Sequence, residues 1–165
     1  PLDQRSPDAT KVRMENPLLR SGLALAGANV RQPASATANS ANSDDGLLTA
    51  LEASSLNLRG TKLVVLSACE TGVGEVRNGE GVYGLRRAIV LAGAESQLMS
   101  LWGVGDESTS HLMTLYYENL KQGMGRSEAL RQAQLTMLND SKNAEWRSPI
   151  AWAAFVFSGD WRPMK

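Results

Sequence analysis

The sequence predicts an α/β fold with a mainly parallel central sheet, and two observations lead to this prediction. Residues 63–66 form a continuous apolar run, Leu-Val-Val-Leu, typical of a strand buried on both faces at the centre of a parallel sheet. Short strand-like runs also alternate with amphipathic helix-like segments, which favours parallel strands joined by helices. At 165 residues the chain is long enough for its own core, so residues 1–165 are predicted to form a single domain.

The first third of the chain is predicted to be the least regular part. Residues 1–15 are polar and mixed in charge, and they are expected to form an irregular lead-in. A short buried strand is predicted over residues 23–27. Residues 32–45 contain no large apolar side chain to offset the entropy cost of ordering, so they are expected to form a mobile loop, either a tolerated surface insertion or a regulatory segment. The leucines of residues 46–55 fall at helical spacing and predict a short amphipathic helix.

Beyond the apolar run 63–66, the chain contains three predicted helices and two predicted strands. The helices cover 81–91, with Gly93 at the C-cap, then 106 to about 121, and then a segment capped by Ser127. The strands cover 96–101 and 153–158. Helical spacing predicts which side chains of these helices face inward: Val82, Leu85 and Ile89; Leu112, Tyr116 and Leu120; and Leu130, Ala133, Met137 and Leu138.

The composition argues against several classes of function. The chain has 17 Lys and Arg residues and 17 Asp and Glu residues, so no net field favours nucleic acid or an anionic membrane. No apolar run has the length of a membrane span. One cysteine forms no internal disulfide, and no Cys/His cluster offers a metal site, so we expect no metal and no cofactor. A reducing compartment, the cytoplasm, is the expected location.

Cys69 is the first candidate for chemistry. It comes just after the apolar run 63–66 and is followed by the small residues Thr71, Gly72 and Gly74. Ligands of open α/β sheets bind beyond the carboxyl ends of the strands, and glycines there allow a substrate backbone to approach. Cys69 is therefore a candidate nucleophile. The alternative is a small buried hydrophobic residue, as most free cysteines are.

Several segments together resemble the CHAT domain, a family of caspase-like cysteine peptidases related to separase and usually linked to tetratricopeptide repeats. They lie at 15–23 (Glu-Asn-Pro-Leu-Leu-Arg-Ser-Gly-Leu), 67–72 (Ser-Ala-Cys-Glu-Thr-Gly), 78–88 (Asn-Gly-Glu-Gly-Val-Tyr-Gly-Leu-Arg-Arg-Ala), 99–106 (Met-Ser-Leu-Trp-Gly-Val-Gly-Asp), 128–134 (Glu-Ala-Leu-Arg-Gln-Ala-Gln) and 152–161 (Trp-Ala-Ala-Phe-Val-Phe-Ser-Gly-Asp-Trp). The resemblance covers nearly the whole chain except for the segment around residues 32–45. It implies a caspase-like three-layer fold and a bacterial, cytoplasmic protein whose upstream tetratricopeptide-repeat region is a partner within the same parent chain.

The resemblance also implies a Cys-His dyad that hydrolyses protein substrates through an acyl-enzyme at Cys69, with the Cys69 backbone amide donating to the oxyanion. In the family the histidine belongs to a His-Gly pair that precedes the Asn-Pro-Leu-Leu-Arg-Ser-Gly motif, here residues 16–22. Nothing in this chain matches that pair, and the chain opens with Pro1 rather than Met. We therefore expect a piece of a longer protein that begins after the histidine, lacks the first strand or strands, and is inactive alone. His111 is expected to be a plain surface residue of a helix, and its recruitment as the base is the less favoured alternative.

Two acidic residues are candidates for substrate binding. Asp106 matches a separase segment whose aspartate receives an arginine side chain, so it is expected to select a basic residue on the acyl side of the scissile bond. The alternative is the N-cap of the following helix, and the two roles can coexist. Glu70 is expected either to orient the loop or read substrate charge, or to be a solvated carboxylate. Trp102 is expected to fill the core rather than to line the pocket.

Two readings other than a peptidase remain open from the sequence. One is a non-catalytic caspase-like module for docking or signalling. The other is a dinucleotide-binding domain, because Gly79, Gly81 and Gly84 spell G-x-G-x-x-G at the start of a helix. That fingerprint requires glycines immediately after a strand, which this spacing does not give, and Glu80 would place a negative charge beside the pyrophosphate.

Overall fold

The computed structural model describes residues 17–19, 21–26, 28, 46–67 and 80–164. The predicted lead-in 1–15 and the predicted loop 32–45 lie outside these residues. The strands are β1 Gly22–Ala24, β2 Leu47–Thr49, β3 Val64–Leu66, β4 Ser96–Ser100 and β5 Phe155–Gly159. The helices are α1 Ala50–Ser54, α2 Glu80–Leu91, α3 Asp106–Lys121, α4 Arg126–Leu138 and α5 Pro149–Trp152, with 3₁₀ turns at Pro17–Leu19 and Ala144–Arg147. No helix within the described ranges is long and apolar enough to cross a membrane.

The main sheet has the order β3-β4-β5 and is mixed. β3 and β4 are parallel, with Leu66 opposite Met99, whereas β5 runs antiparallel to β4, with Phe155 opposite Ser100. The predicted mainly parallel sheet therefore holds for the first pair only. The reason is that α3 leads away from the carboxyl end of β4 and α4 returns, so the chain re-enters the sheet from the edge at which it left.

Among the described strands β4, not β3, is the central one. β4 is buried at all of its positions, whereas β3 is half-buried throughout. The prediction from the apolar run was wrong on this point because β4 contains polar residues that are buried with partners. The Ser96 hydroxyl donates to the Lys62 carbonyl at 2.6 Å, and the Gln97 amide donates to the Arg86 carbonyl at 3.1 Å. Hydrogen-bonded polar groups can occupy a central strand that apolarity alone does not identify.

A second, two-stranded sheet replaces part of a predicted helix. β2 pairs antiparallel with β1, so residues 47–49 are extended, and α1 begins only at Ala50. Thr49 caps α1 by accepting from the Glu52 amide at 3.2 Å, and the Glu52 carboxylate accepts from the Thr49 amide at 2.8 Å, which completes a capping box. β1 also starts one residue earlier than predicted and ends before Leu25, which is 54% exposed.

Helices pack on both faces of the main sheet, which fits an α/β architecture. Leu98 of β4 joins a cluster with α3, α4 and α5, and Met99, on the opposite face of the same strand, joins a cluster with α1 and α2. The predicted inward residues Leu85, Ile89, Leu112, Tyr116, Leu130, Ala133 and Met137 are buried. Leu120 is half-buried, and Leu138 is 41% exposed, so its prediction was wrong.

The helix ends agree with the sequence at α2 and differ at α4. Gly93 lies just past α2 with a φ of 99°, and the amide of Ala94 donates to Ile89, so the predicted glycine C-cap is confirmed. At α4 the N-cap is Gly125, without a side-chain hydrogen bond, and not Ser127. A β-carbon at Gly125 would lie 2.8 Å from the Trp161 carbonyl oxygen. The close approach of the Trp161 backbone to Gly125 therefore sets the start of this helix.

Arg126, the first residue of α4, ties the helix to the amino edge of β4. Its side chain is 2% exposed and donates to the Glu95 carboxylate at 3.0 Å, to the Asp160 carbonyl at 3.0 Å and to the Ser96 hydroxyl at 3.3 Å. One guanidinium therefore joins α4, the start of β4 and the segment after β5. Its planar set of donors suits three acceptors that lie in different directions.

We predict that Arg126→Ala lowers the free energy of unfolding by about 2–3 kcal/mol, because it leaves buried acceptors unsatisfied. This is below the usual cost of breaking a fully buried pair because the Glu95 side chain is 36% exposed and regains water. The measurement is denaturant unfolding. Arg131→Ala is the control, since its pair with Glu128 is exposed on both sides and should cost at most about 0.5 kcal/mol. Equal losses in the two variants would contradict the anchoring role of Arg126.

Candidate functional site

The parallel pairing of β3 and β4 brings two chain segments to one edge of the sheet. Leu66, which ends β3, pairs with Met99, so Ser67 is level with Ser100 at the end of β4. Ser67 is exposed at this edge. On the neighbouring strand, residues 101–105 continue the chain from the end of β4. Cys69 and Glu70 follow Ser67 in sequence and lie outside the described residues. The carboxyl edge of β3 and β4 is the part of the fold where ligands of α/β sheets bind.

The segment after β4 is fixed by contacts with the α5 region. The Leu101 amide donates to the Ala154 carbonyl at 2.9 Å, and the Trp102 indole NH donates to the Ile150 carbonyl at 3.4 Å. Trp102 is 40% exposed, so the expectation that it fills the core was wrong. Its position just beyond the buried strand, together with an indole donor that needs an acceptor, keeps it at the surface.

Asp106 begins α3 but does not cap it. The N-cap is Gly105 and makes no side-chain hydrogen bond, so the predicted capping role of Asp106 was wrong. Asp106 and Glu107 are exposed in the first turn, where the helix dipole favours negative charge. Behind them, the buried Ser108 hydroxyl donates to the Gly105 carbonyl at 3.0 Å and fixes the turn. The Asp106 carboxylate is therefore held at a helix start and is free of a capping bond.

A cleft of about 470 Å³ opens beside this turn. Its lining residues come from the segment after β4, the first turn of α3, the 3₁₀ turn and α5: Gly103, Val104, Gly105, Asp106, Glu107, Ser108, Glu145, Trp146, Ile150 and Ala151. Three of them carry carboxylates, and none of these described lining residues is basic. A concave site with one sign of charge concentrates the opposite charge, so the cleft suits a positively charged side chain with an apolar stem.

His111 lies one turn into α3 and is half-buried. Its ring stacks on Trp146, with ring centroids 4.5 Å apart and an angle of 28° between the planes. The expectation of a plain surface histidine was therefore wrong, because one face of the ring is occupied by an aromatic neighbour. The contact links α3 to the 3₁₀ turn, and it gives His111 a packing role beside the cleft.

The 3₁₀ turn that carries Trp146 is itself held by Asp140. The Asp140 carboxylate accepts from the backbone amides of Lys142 at 2.7 Å and of Asn143 at 3.0 Å, and the Asn143 carbonyl then accepts from the Trp146 amide at 3.1 Å. The hydrogen bond from Asn143, followed by that from Lys142, holds the pKa of Asp140 below its usual range. Because the folded pKa is lowered, the turn gains stability at neutral pH and loses it only as the pH falls through that pKa.

The described part of the glycine pattern does not form a dinucleotide site. β3 ends at Leu66, α2 begins at Glu80, and both Gly81 and Gly84 lie inside the helix. The fingerprint requires glycines in the turn between strand and helix, where backbone amides face the pyrophosphate. Among the described residues there is also no group of three or more His, Cys, Asp and Glu side chains placed to hold a metal ion.

Sequence reasoning missed Glu145, Trp146 and Ile150, which form one side of the cleft. Residues 139–148 are almost entirely polar, and Trp146 stands alone among them. A single large aromatic residue in a polar segment of this kind is the signal that would have identified it, because the segment has no core of its own to bury the ring.

One family profile and two curated proteins match this chain. The CHAT domain family profile matches residues 8–160. Tetratricopeptide repeat protein 28 from Homo sapiens is 34% identical over 113 residues, which is 68% of this chain and 4% of the relative. The protein of the same name from Mus musculus matches with the same identity and coverage. The chain thus spans a small fraction of the length of these curated relatives. Both are mammalian, and they give no support to the expected bacterial source.

The cap assignments predict a measurable contrast in stability. Asp106→Ala removes only a favourable interaction with the helix dipole and should lower the free energy of unfolding by about 0.5 kcal/mol or less. Thr49→Ala removes a side-chain cap that the structure contains, and should cost about 1 kcal/mol. Thermal unfolding of the two variants and the parent checks this. A larger loss for Asp106→Ala than for Thr49→Ala would restore the capping role of Asp106.

Proposed function

This chain belongs to the CHAT domain family, and we propose that the intact domain is a cysteine endopeptidase that cleaves protein substrates after a basic residue. The observation that carries the proposal is the parallel pairing of β3 and β4. It brings Ser67, which precedes Cys69 by two residues in sequence, to the same sheet edge as the acidic cleft after β4. A nucleophile and a specificity pocket at one edge are what selective peptide hydrolysis requires.

In the proposed reaction the Cys69 thiolate attacks the scissile carbonyl carbon and forms a tetrahedral oxyanion. The backbone amide of Cys69 donates to that oxyanion. The carbon–nitrogen bond then breaks, the amine leaves with a proton from a histidinium, and a thioester remains on Cys69. Water, deprotonated by the same histidine, hydrolyses the thioester and regenerates the thiol. Glu70 orients this loop or pairs with positive charge on the substrate.

The histidine of this dyad is proposed to come from upstream of Pro1, in the family's His-Gly pair, and not from His111. The ring of His111 is stacked on Trp146 and sits on α3 rather than at a strand end. A general base must reach the proton that it abstracts, and the end of a neighbouring strand provides that reach beside Cys69. The described chain by itself would then lack its base.

Asp106 is proposed to set the substrate preference. Asp106 lies at the start of α3 and lines a cleft whose lining also includes Glu107 and Glu145. An arginine side chain can pair with a carboxylate through two parallel hydrogen bonds, while a lysine ammonium pairs as a point charge. The substrate class is therefore a protein segment with Arg or Lys on the acyl side of the scissile bond.

The partner and the setting of the domain are also proposals. The mammalian relatives carry the name tetratricopeptide repeat protein, and we propose that such repeats lie upstream in the parent chain and present substrates. A single cysteine that must stay reduced to react fits a cytoplasmic location. The competing function is a docking module without catalysis, in which the same acidic cleft binds a basic peptide and Cys69 is inert.

We predict that Cys69→Ala in the full-length protein abolishes cleavage and covalent labelling by a peptidyl electrophile, with little change in melting temperature. Removal of a nucleophile costs several orders of magnitude in rate, on the order of 10⁶ in a serine protease. Ser67→Ala, a neighbouring change at the exposed end of β3, is the control and should keep activity. His111→Ala should retain measurable turnover because His111 is not the base. Cleavage that persists in Cys69→Ala would contradict the assignment of Cys69 as the nucleophile, whereas a parent protein that shows neither cleavage nor labelling would favour the docking module.

Asp106→Ala is predicted to remove the preference for basic residues. The kcat/KM for peptides with Arg or Lys should fall by about tenfold or more, which is the size of a charge-assisted hydrogen-bond pair. The value for a matched peptide with norleucine should change little. Profiling the parent and the variant on a peptide library measures both. An unchanged preference would assign the selection of substrate to another part of the protein.

A further inference from the structure

Trp146 forms the aromatic wall of the acidic cleft. The side chain lines the cleft together with Asp106 and Glu107, and it is half-buried against the cluster formed by α3, α4 and α5. An aromatic ring beside carboxylates, in a concave site with no basic lining residue among those described, provides two kinds of contact for a cation at once. The ring face attracts positive charge, and the carboxylates pair with it.

The ring is held in place from two directions. His111 stacks against it from α3, with centroids 4.5 Å apart. In the segment just before Trp146, the Asp140 carboxylate accepts a hydrogen bond from the Asn143 amide. The Asn143 carbonyl in turn accepts from the Trp146 amide at 3.1 Å. A side chain that is already ordered loses little entropy when a ligand packs against it, so its contacts with the ligand are realised more fully.

A guanidinium and an ammonium would use this cleft differently. A guanidinium is planar and weakly hydrated, so it can lie flat on an indole while its edge donates two hydrogen bonds to a carboxylate. An ammonium is compact and strongly hydrated and gains less from an aromatic face. The charge of Asp106 would attract either cation, whereas the indole face of Trp146 would favour the planar guanidinium over the ammonium.

We infer that Trp146 makes the cleft selective for arginine over lysine, and that His111 is a positioning residue that holds the indole ring for this contact. The inference rests on the proposed function, because it names the residue that discriminates between arginine and lysine substrates at the same site. It assigns specificity to the 3₁₀ turn Ala144–Arg147 as well as to α3.

The first test uses full-length protein and peptides that differ only in Arg or Lys before the scissile bond. The parent should prefer Arg, and Trp146→Leu should reduce the ratio of the two kcat/KM values by about three- to tenfold, the range of a partly desolvated cation–π contact. His111→Leu should reduce the ratio as well, and His111→Phe, which keeps an aromatic stacking partner, should restore it. A purely structural role of His111 would lower both kcat/KM values together and leave the ratio unchanged.

Trp152→Leu is the matched control. Trp152 is also a half-buried tryptophan packed on the same cluster, with its indole NH donating to the Arg147 carbonyl at 3.4 Å, but it does not line the cleft. Its loss should leave the Arg/Lys ratio unchanged. A ratio that changes equally in Trp146→Leu and Trp152→Leu would overturn the inference, since it would reflect general loosening of this part of the fold.

A binding measurement separates this inference from the proposed peptidase activity. Agmatine and cadaverine each carry one ammonium, and the second cationic group is a guanidinium in agmatine and an ammonium in cadaverine. NMR of the tryptophan indole NH groups of full-length protein reports their binding and so compares the two groups. Agmatine should bind several-fold more tightly than cadaverine, and Trp146→Leu should remove the difference. If this holds but no peptide is cleaved, the peptidase proposal fails and the cation site stands. If peptides are cleaved with an Arg/Lys ratio that Trp146→Leu leaves unaltered, the inference fails alone. Absence of both cleavage and agmatine binding overturns both.

Discussion

The parallel pairing of β3 with β4 is the constraint on which the candidate site depends. Parallel strands place their carboxyl ends at one edge of the sheet, and the register of Leu66 opposite Met99 puts the ends of β3 and β4 at the same level. In sequence, β3 is followed by the segment that contains Cys69, and β4 is followed by the turn that starts α3 at Asp106. A shift of this pairing would move Ser67, two residues before Cys69 in sequence, away from the acidic cleft.

The opposite edge of the sheet provides the rigidity that this arrangement needs. There the buried Arg126 side chain joins α4 to Glu95, Ser96 and the Asp160 carbonyl. Since α4 packs on α3, the anchor also fixes α3, whose first turn carries Asp106 and whose second carries His111. The chemistry is thus proposed at one end of the sheet and the buried Arg126 anchor lies at the other, so the anchor can be satisfied without competing for the residues of the site.

Much of the fold could be predicted from the sequence, because periodicity reports which face of a helix is buried. Leu85, Leu112 and Met137 were placed correctly in this way. Predictions failed where a neighbouring segment decides. The leucines of residues 47–48 joined β1 instead of a helix, and Gly125 rather than Ser127 capped α4 because Trp161 passes close by. In the site, Asp106 was identified from a local motif, whereas Trp146 was not, since its role depends on contact with His111, which lies far from it in sequence.

The central claim is that one sheet edge unites the Cys69 nucleophile with a cleft that binds a basic side chain. The most direct test is a crystal structure of the full-length protein treated with a peptidyl electrophile that carries arginine at the reactive position. The account predicts a covalent bond to the Cys69 sulfur, with the guanidinium about 2.8 Å from the Asp106 carboxylate oxygens, as in other charge-assisted pairs, and stacked on Trp146. An adduct at Cys69 whose arginine points away from this cleft, or no adduct at Cys69, would contradict it.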